Sequence, residues 1–150
     1  MLIQDLSKEE CFSLLLRVGF GKLACAQDAQ PYIVPIYFSV EGHNIYAFST
    51  IGQKITWMRT NPLVCLEADE IVTAQKWQSV IVLGRYHTVA DESEQEMIHR
   101  LLARKANWWE PGYARTVHGG HDRPIGAAGS HEAVYFRISV ESITGRIATH

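Results

Sequence analysis

The sequence predicts a mainly β fold: an antiparallel barrel, closed or split, of about six strands with two or three helices. Three observations carry that reading. Residues 22–26, 32–40 and 44–48 are short runs rich in β-branched and aromatic side chains. Only Gln27-Asp28-Ala29-Gln30 and Glu41-Gly42-His43 part them, which is the spacing of a meander rather than of βαβ units. The chain is 150 residues long, 47% hydrophobic and 20% charged, enough to build one soluble domain around a real core.

The first element is a helix. Ser7 and Glu10 fit a capping box, Leu6 and Cys11 fit its hydrophobic staple, and Gly19 suits the stop. Cys11, Leu14, Leu15 and Val18 recur at helical spacing. After the three meander strands, residues 52–60 form a short helix that Asn61-Pro62 ends. Residues 63–68 and 77–89 are strands, the second long enough to bend at Gly84. A helix over 92–106 takes Asp91 as its cap and aligns Met97, Ile98, Leu101, Leu102 and Lys105. Residues 107–130 hold five glycines and two prolines without a period, the mark of a long loop with a task or with motion. A strand over 133–140 and a polar tail close the chain. No repeat or linker divides it, so residues 1–150 read as a single domain.

Several classes of function fall away early. A net charge of -2 offers no basic face for nucleic acid. No apolar run reaches the roughly 20 residues of a membrane span, and no signal peptide opens the chain, so a cytoplasmic protein is expected. Cys11, Cys25 and Cys65 are scattered and odd in number, which argues against a disulfide framework or a zinc site.

Three segments carry chemistry. Ser49-Thr50-Ile51-Gly52-Gln53-Lys54 joins a strand end to a helix start, where free N–H groups and the helix dipole favour an anion. Two hydroxyls, a glycine and a lysine suit a phosphate monoester; they equally suit an ordinary helix start with a solvated lysine. In Pro31-Tyr32-Ile33-Val34-Pro35-Ile36 a strand carries Pro35, which donates no ladder bond and belongs on an edge or at a bulge. Such a strand can turn its spare backbone groups to a planar heterocycle, or simply guard an edge against aggregation. In Trp77-Gln78-Ser79-Val80, alternation sets Trp77 and Ser79 on one face, as ring cover and hydroxyl donor or as plain packing.

Taken in order, these segments resemble the pyridoxamine 5′-phosphate oxidase-like split-barrel superfamily, most closely its nitroimidazole-reductase-like branch. The resemblance also runs through Leu6-Ser7-Lys8-Glu9-Glu10, Gly21-Lys22-Leu23-Ala24, Asn61-Pro62-Leu63-Val64-Cys65, Trp108-Trp109-Glu110-Pro111-Gly112 and Ile143-Thr144-Gly145-Arg146. It covers nearly the whole chain. It implies a six-stranded split β-barrel that forms a homodimer and holds FMN in grooves between subunits. Ser49, Thr50 and Lys54 would hold the phosphate with help from Ser79; backbone at Val34, Pro35 and Ile36 would line the isoalloxazine, with Trp77 near it.

The resemblance further implies a flavin-dependent oxidoreductase acting on a small molecule such as a nitroaromatic or quinone. The alternative is a protein of the same fold that carries flavin or haem without turnover. The chain ends Arg146-Ile147-Ala148-Thr149-His150, without the arginine- and proline-bearing tail of true pyridoxamine phosphate oxidases, so vitamin B6 oxidation is not expected. No Gly-x-Gly-x-x-Gly run supports a resident nicotinamide, which leaves NAD(P)H as a transient donor. His118-Gly119-Gly120-His121 and His131 fit solvated loop histidines better than a metal site, and a proton-shuttling role above the flavin is the other option.

Overall fold

A computed structural model describes residues 1–103, 116–118, 121–123 and 133–150. In chain order the elements are β1 (Leu2–Asp5), α1 (Lys8–Val18), β2 (Phe20–Gln27), β3 (Gln30–Tyr37), β4 (Ser39–Glu41), β5 (Asn44–Thr50) and α2 (Gln53–Thr60). They continue as β6 (Leu63–Thr73), β7 (Lys76–Thr88), α3 (Glu92–Ala103), β8 (Thr116–His118), β9 (His121–Arg123) and β10 (Ala133–Thr149). The predicted mainly β, antiparallel architecture forms, with three helices among the described residues. The main sheet holds eight strands rather than six, in the order β3-β2-β6-β7-β10-β5-β4 with β1 also on β10.

The sheet curls because of one residue. β3 and β4 lie at opposite ends of the strand order, yet only Phe38 separates them in sequence. The two edges are thus drawn together, and the sheet wraps around the fully buried Phe38 ring. The Phe38 N–H donates to the Gly19 carbonyl at 2.8 Å, which fixes the corner. A continuous strand over 32–40 was expected; Phe38 divides it, since a strand cannot serve both edges without a break.

Two other strands exceed their sequence signal. β1 pairs with β10 from Leu2↔Thr149 to Asp5↔Arg146, turning the expected polar tail into strand. β10 runs beside β7 from Phe136 to Ala148, and a bulge between Val140 and Ser142 bends it. Buried side chains are Val134, Phe136 and Ile138 before the bulge and Ile143 just past it, so buried parity changes from even to odd across the bulge, and Ala148 is buried farther along. Gly84 pairs with Val140 at this place. A Cβ there would lie 2.6 Å from both Ser139 O and the Ile138 side chain, which is why the expected bend falls at a glycine.

Caps form as the sequence predicts. Ser7 Oγ accepts from Glu10 N at 3.2 Å, Glu10 Oε2 accepts from Ser7 N at 2.7 Å, and Gly19 ends α1 in the left-handed region at φ 63°. Asp91 Oδ2 accepts from Glu94 N at 3.0 Å ahead of α3. α1 and α2 add Leu14, Leu15, Ile55 and Met58 to the main core with Leu23, Leu66, Val80 and Val82. α3 covers a second cluster of Tyr37, Tyr46, Phe48 and Val89 through Ile98 and Leu102. The end of the helix expected to reach residue 106 lies outside the described residues. Within the expected long loop, β8 and β9 form an antiparallel ribbon that pairs His118 with His121. No helix among the described residues is long and apolar enough to cross a membrane.

Candidate functional site

The bend between β5 and α2 is built from the residues that the sequence singles out. Ser49 and Thr50 end β5, where they face Val134 and Ala133 of β10. Ser49 is buried, and its hydroxyl donates to the Thr50 carbonyl at 3.1 Å. That hydroxyl therefore has a partner inside the protein. Gly52 stands in the cap position of α2 without a side-chain cap, so the first-turn N–H groups keep their capacity for an outside acceptor. A Cβ on Gly52 would meet no atom within 4 Å, so the approach to these N–H groups is open.

Lys54 lies in the first turn of α2, half-buried, where the helix packs on β2. Burial pulls its ammonium below the usual lysine range, while the Cys25 thiol beside it acts in the opposite sense. Among the described residues no carboxylate pairs with Lys54. A desolvated cation without a counter-ion, next to uncapped helix N–H groups, favours a bound anion. Around it, Tyr32 of β3 and Trp57 of α2 approach with ring centroids 5.5 Å apart. Asn61 Nδ2 donates to the Ala26 carbonyl at 3.1 Å and ties the far end of α2 to β2.

The proline strand is an edge, as expected: β3 pairs only with β2. Pro31 and Pro35 stand opposite Ala26 and Lys22 and have no N–H, so these are non-hydrogen-bonded pairs of the ladder. The alternate pairs Tyr32–Cys25, Val34–Leu23 and Ile36–Gly21 then exchange the ladder bonds. The groups left facing outward are the Ile33 N–H and the carbonyls of Pro31, Ile33 and Pro35; Gln30 Nε2 takes the first carbonyl at 2.9 Å. Of the expected trio, Val34 and Ile36 spend their backbone on β2, and Ile36 is buried in the core. Of the trio, the Pro35 carbonyl is the backbone group that the register turns outward, away from β2. The available N–H belongs to Ile33, whose place in the ladder follows from the two prolines but is not visible until the register is known.

Trp77 and Ser79 share the outer face of β7, as alternation requires, but they lie far from the β5–α2 bend. Ser79 faces Arg146 of β10 and Trp77 faces Ala148, whereas Ser49 faces Val134 of the same strand. From Val134 to Arg146 is about 40 Å of strand at about 3.3 Å per residue, shortened somewhat by the bulge. Within one chain the two groups of residues are not brought together. Ser79 instead borders a hollow of about 510 Å³ with Asp5, Leu6, Ile81, Thr144 and Arg146.

Comparison with known proteins decides the family. Residues 7–147 match the pyridoxamine 5′-phosphate oxidase family. The chain belongs to that family. An uncharacterised protein of Rhizobium meliloti is 40% identical over 99% of this chain and 97% of its own length. A FAD-binding protein of Mesorhizobium loti is 37% identical, with a TM-score of 0.78 over 99% of this chain and 100% of its own. The FAD-binding protein of Mycobacterium smegmatis is 25% identical, with a TM-score of 0.66 over 95% of this chain and 98% of its own. The family likeness thus spans nearly the full length, as the ordered motifs in the sequence imply.

Proposed function

We propose that this member of the family binds FMN between two copies of the chain and uses it for redox chemistry on a small electrophile. The observation that carries the reading is the desolvated, carboxylate-free Lys54 beside the uncapped, open N-terminus of α2. Flavin binding by the Mesorhizobium loti and Mycobacterium smegmatis relatives supports the class of cofactor. A terminal phosphate monoester matches a single lysine and one helix start, which favours FMN over FAD for this chain.

In this reading Lys54 and the first-turn N–H groups of α2 hold the phosphate, and Thr50 lies beside it. Ser49 joins only if its hydroxyl leaves the Thr50 carbonyl. The β3 edge offers the Ile33 N–H and the Pro35 carbonyl to the ring. The bound flavin supplies the hydride acceptor and donor, so no protein base is needed for the central step. The chain's own work is to bind, to orient the ring and to exclude water. Trp77 and Ser79, on β7 beside the far end of β10, reach the same flavin only from a second copy, so the homodimer completes the site. The apolar outer sheet face gives such a dimer something to bury, with Ile33, Leu63, Ile81 and Leu83 all exposed in the single chain. A nitroaromatic or quinone is the acceptor class, and NAD(P)H a transient donor.

Reconstitution tests the reading. The purified chain with FMN added is expected to give a bound-flavin spectrum that NAD(P)H bleaches and a quinone or nitroaromatic restores. A chain that binds no flavin, or binds FMN without being reduced by any nicotinamide donor, overturns the cofactor or the redox part respectively.

A further inference from the structure

A hollow of about 490 Å³ opens on the outer face of the sheet, one strand in from the β3 edge. Ala24, Ala26, Pro31, Leu63, Cys65 and Leu83 line it. The two alanines raise only a methyl each above the sheet, which leaves a flat floor between the larger side chains. One row of cross-strand partners runs through it. Ile33 of β3 faces Ala24 of β2, Ala24 faces Cys65 of β6, and Cys65 faces Leu83 of β7. Ile33 is the residue whose N–H points outward at the sheet edge, so the hollow begins on the strand next to the group offered to the flavin. That N–H lies in the plane of the sheet and holds a ring at its edge; the hollow takes a second ring on its face. Neighbouring strands are about 4.8 Å apart, so the two places adjoin.

The lining carries charge only at the rim, where Glu141 is tied to Arg85 at 3.2 Å. Burial and Glu67 push the Cys65 thiol up, and burial pushes the Cys25 thiol up against the pull of Lys54, so both thiols stay neutral. The charges of this face begin one row away, where Lys22 stands opposite Glu67. Burial, the Asp69 hydrogen bond and the Asp69 charge push Glu67 up to about 6, and Lys22 opposes them. A flat, apolar recess of this size suits a planar aromatic ring. It penalises an anion, which would leave water for a lining that offers it no free cation.

We propose that this hollow seats the electron acceptor and selects a planar, uncharged one: a quinone or nitroaromatic without a carboxylate or phosphate of its own. The proposal rests on the flavin reading above. A quinone seated there takes up two electrons and two protons, one proton with both electrons as hydride from the reduced flavin and the other from solvent. It leaves as the hydroquinone, and the flavin returns to its oxidised form. The work of Leu63, Leu83 and the alanine floor is to hold the acceptor flat beside the flavin edge. They contribute nothing to the phosphate, which lies at the start of α2.

Equilibrium dialysis of 4-nitrotoluene and 4-nitrobenzoate against the oxidised, FMN-loaded protein tests this without turnover. The two probes share a planar nitroaromatic ring and differ in charge. The neutral probe is expected to bind about tenfold or more tightly than the anion. Leu83→Trp and Ala24→Leu each fill the hollow from an outward position and should abolish most of that binding. FMN affinity and bleaching by NAD(P)H should be nearly unchanged in both. Equal affinity for the two probes overturns the proposal, as does 4-nitrotoluene binding that survives both substitutions. Loss of FMN in step with 4-nitrotoluene also overturns it, because the hollow would then belong to the flavin itself. A wild-type chain that takes up no FMN overturns the flavin reading, and the acceptor role with it.

Discussion

The ammonium of Lys54 and the thiol of Cys25 lie close enough for each to bear on the other's ionisation, where α2 packs on β2. Burial is the larger influence on both: it lowers the lysine and raises the thiol, so a neutral thiol sits beside a destabilised cation. Cys25 should therefore be a poor nucleophile despite its basic neighbour. Alkylation with iodoacetamide at pH 7.5, read by mass spectrometry, is expected to modify Cys25 no faster than the buried Cys11. Preferential labelling of Cys25 would mean that Lys54 activates it, contrary to this account.

A complementation experiment addresses the separation of Trp77 from Lys54. Lys54→Ala and Trp77→Ala homodimers should each bind FMN poorly. Co-expressed as a heterodimer, they should recover one good site of two, because one site draws Lys54 and Trp77 from the unaltered positions of different chains. Titration stoichiometry near half that of wild type is the expected result. No recovery would mean that both residues act within one chain, and a Trp77→Ala homodimer that binds FMN like wild type would mean that Trp77 has no part in the site.

The bend at Gly84 is a matter of contact rather than of flexibility. Gly84→Ala forces a methyl against Ser139 O and Ile138, and overpacking of this kind costs about 1–3 kcal/mol. Chemical denaturation should show that loss. A neutral substitution would mean that β10 relaxes freely at its bulge.

The hairpin turn between β2 and β3 offers the opposite effect. Asp28 and Ala29 adopt φ of 50° and 62°, the left-handed region that suits Asp far better than Ala. Ala29→Gly relieves that strain and should stabilise the fold by about 0.5–1 kcal/mol, after the greater freedom of glycine in the unfolded chain is subtracted. A lower melting temperature would contradict the turn geometry.

Glu67 should also leave a mark on thermal stability. Its carboxyl is raised from 4.5 to about 6 in the folded chain, so the folded state holds its proton more tightly than the unfolded state does. That contribution is fully present below about pH 4.5 and is lost as pH rises through about 6. Relative to wild type, Glu67→Gln should gain melting temperature as pH moves from 5 to 8. A constant difference over that range would remove the special status of this carboxyl.

Much of the architecture was legible because local signals agree with the tertiary arrangement. The Ser7–Glu10 capping box, the Gly19 stop, the edge role of Pro35 and the bend at Gly84 each follow from one residue's stereochemistry. What the sequence hides is relational. Phe38 looks like any strand aromatic, and only the strand order makes it the corner that closes the sheet. Leu2 to Asp5 form a strand because β10 offers them an edge, not because their own pattern demands it. In the candidate site, Ser49, Thr50 and Lys54 are neighbours in sequence and so were found together. Cys25 and Ile33 enter through register and packing, and Trp77 and Ser79 share a motif but not a location with Lys54. The readings placed on His118, His121, His131, Trp108 and Trp109 involve side chains that lie outside the described residues.

The central claim is that the start of α2 holds the phosphate of FMN, and Lys54→Ala tests it most directly. A charge-assisted contact to a phosphate is worth about 1.5–3 kcal/mol, or about ten- to a hundredfold in affinity. Fluorescence titration should show FMN binding weakened by that factor, with the melting temperature of the flavin-free protein nearly unchanged. FMN affinity equal to that of wild type would contradict the assignment.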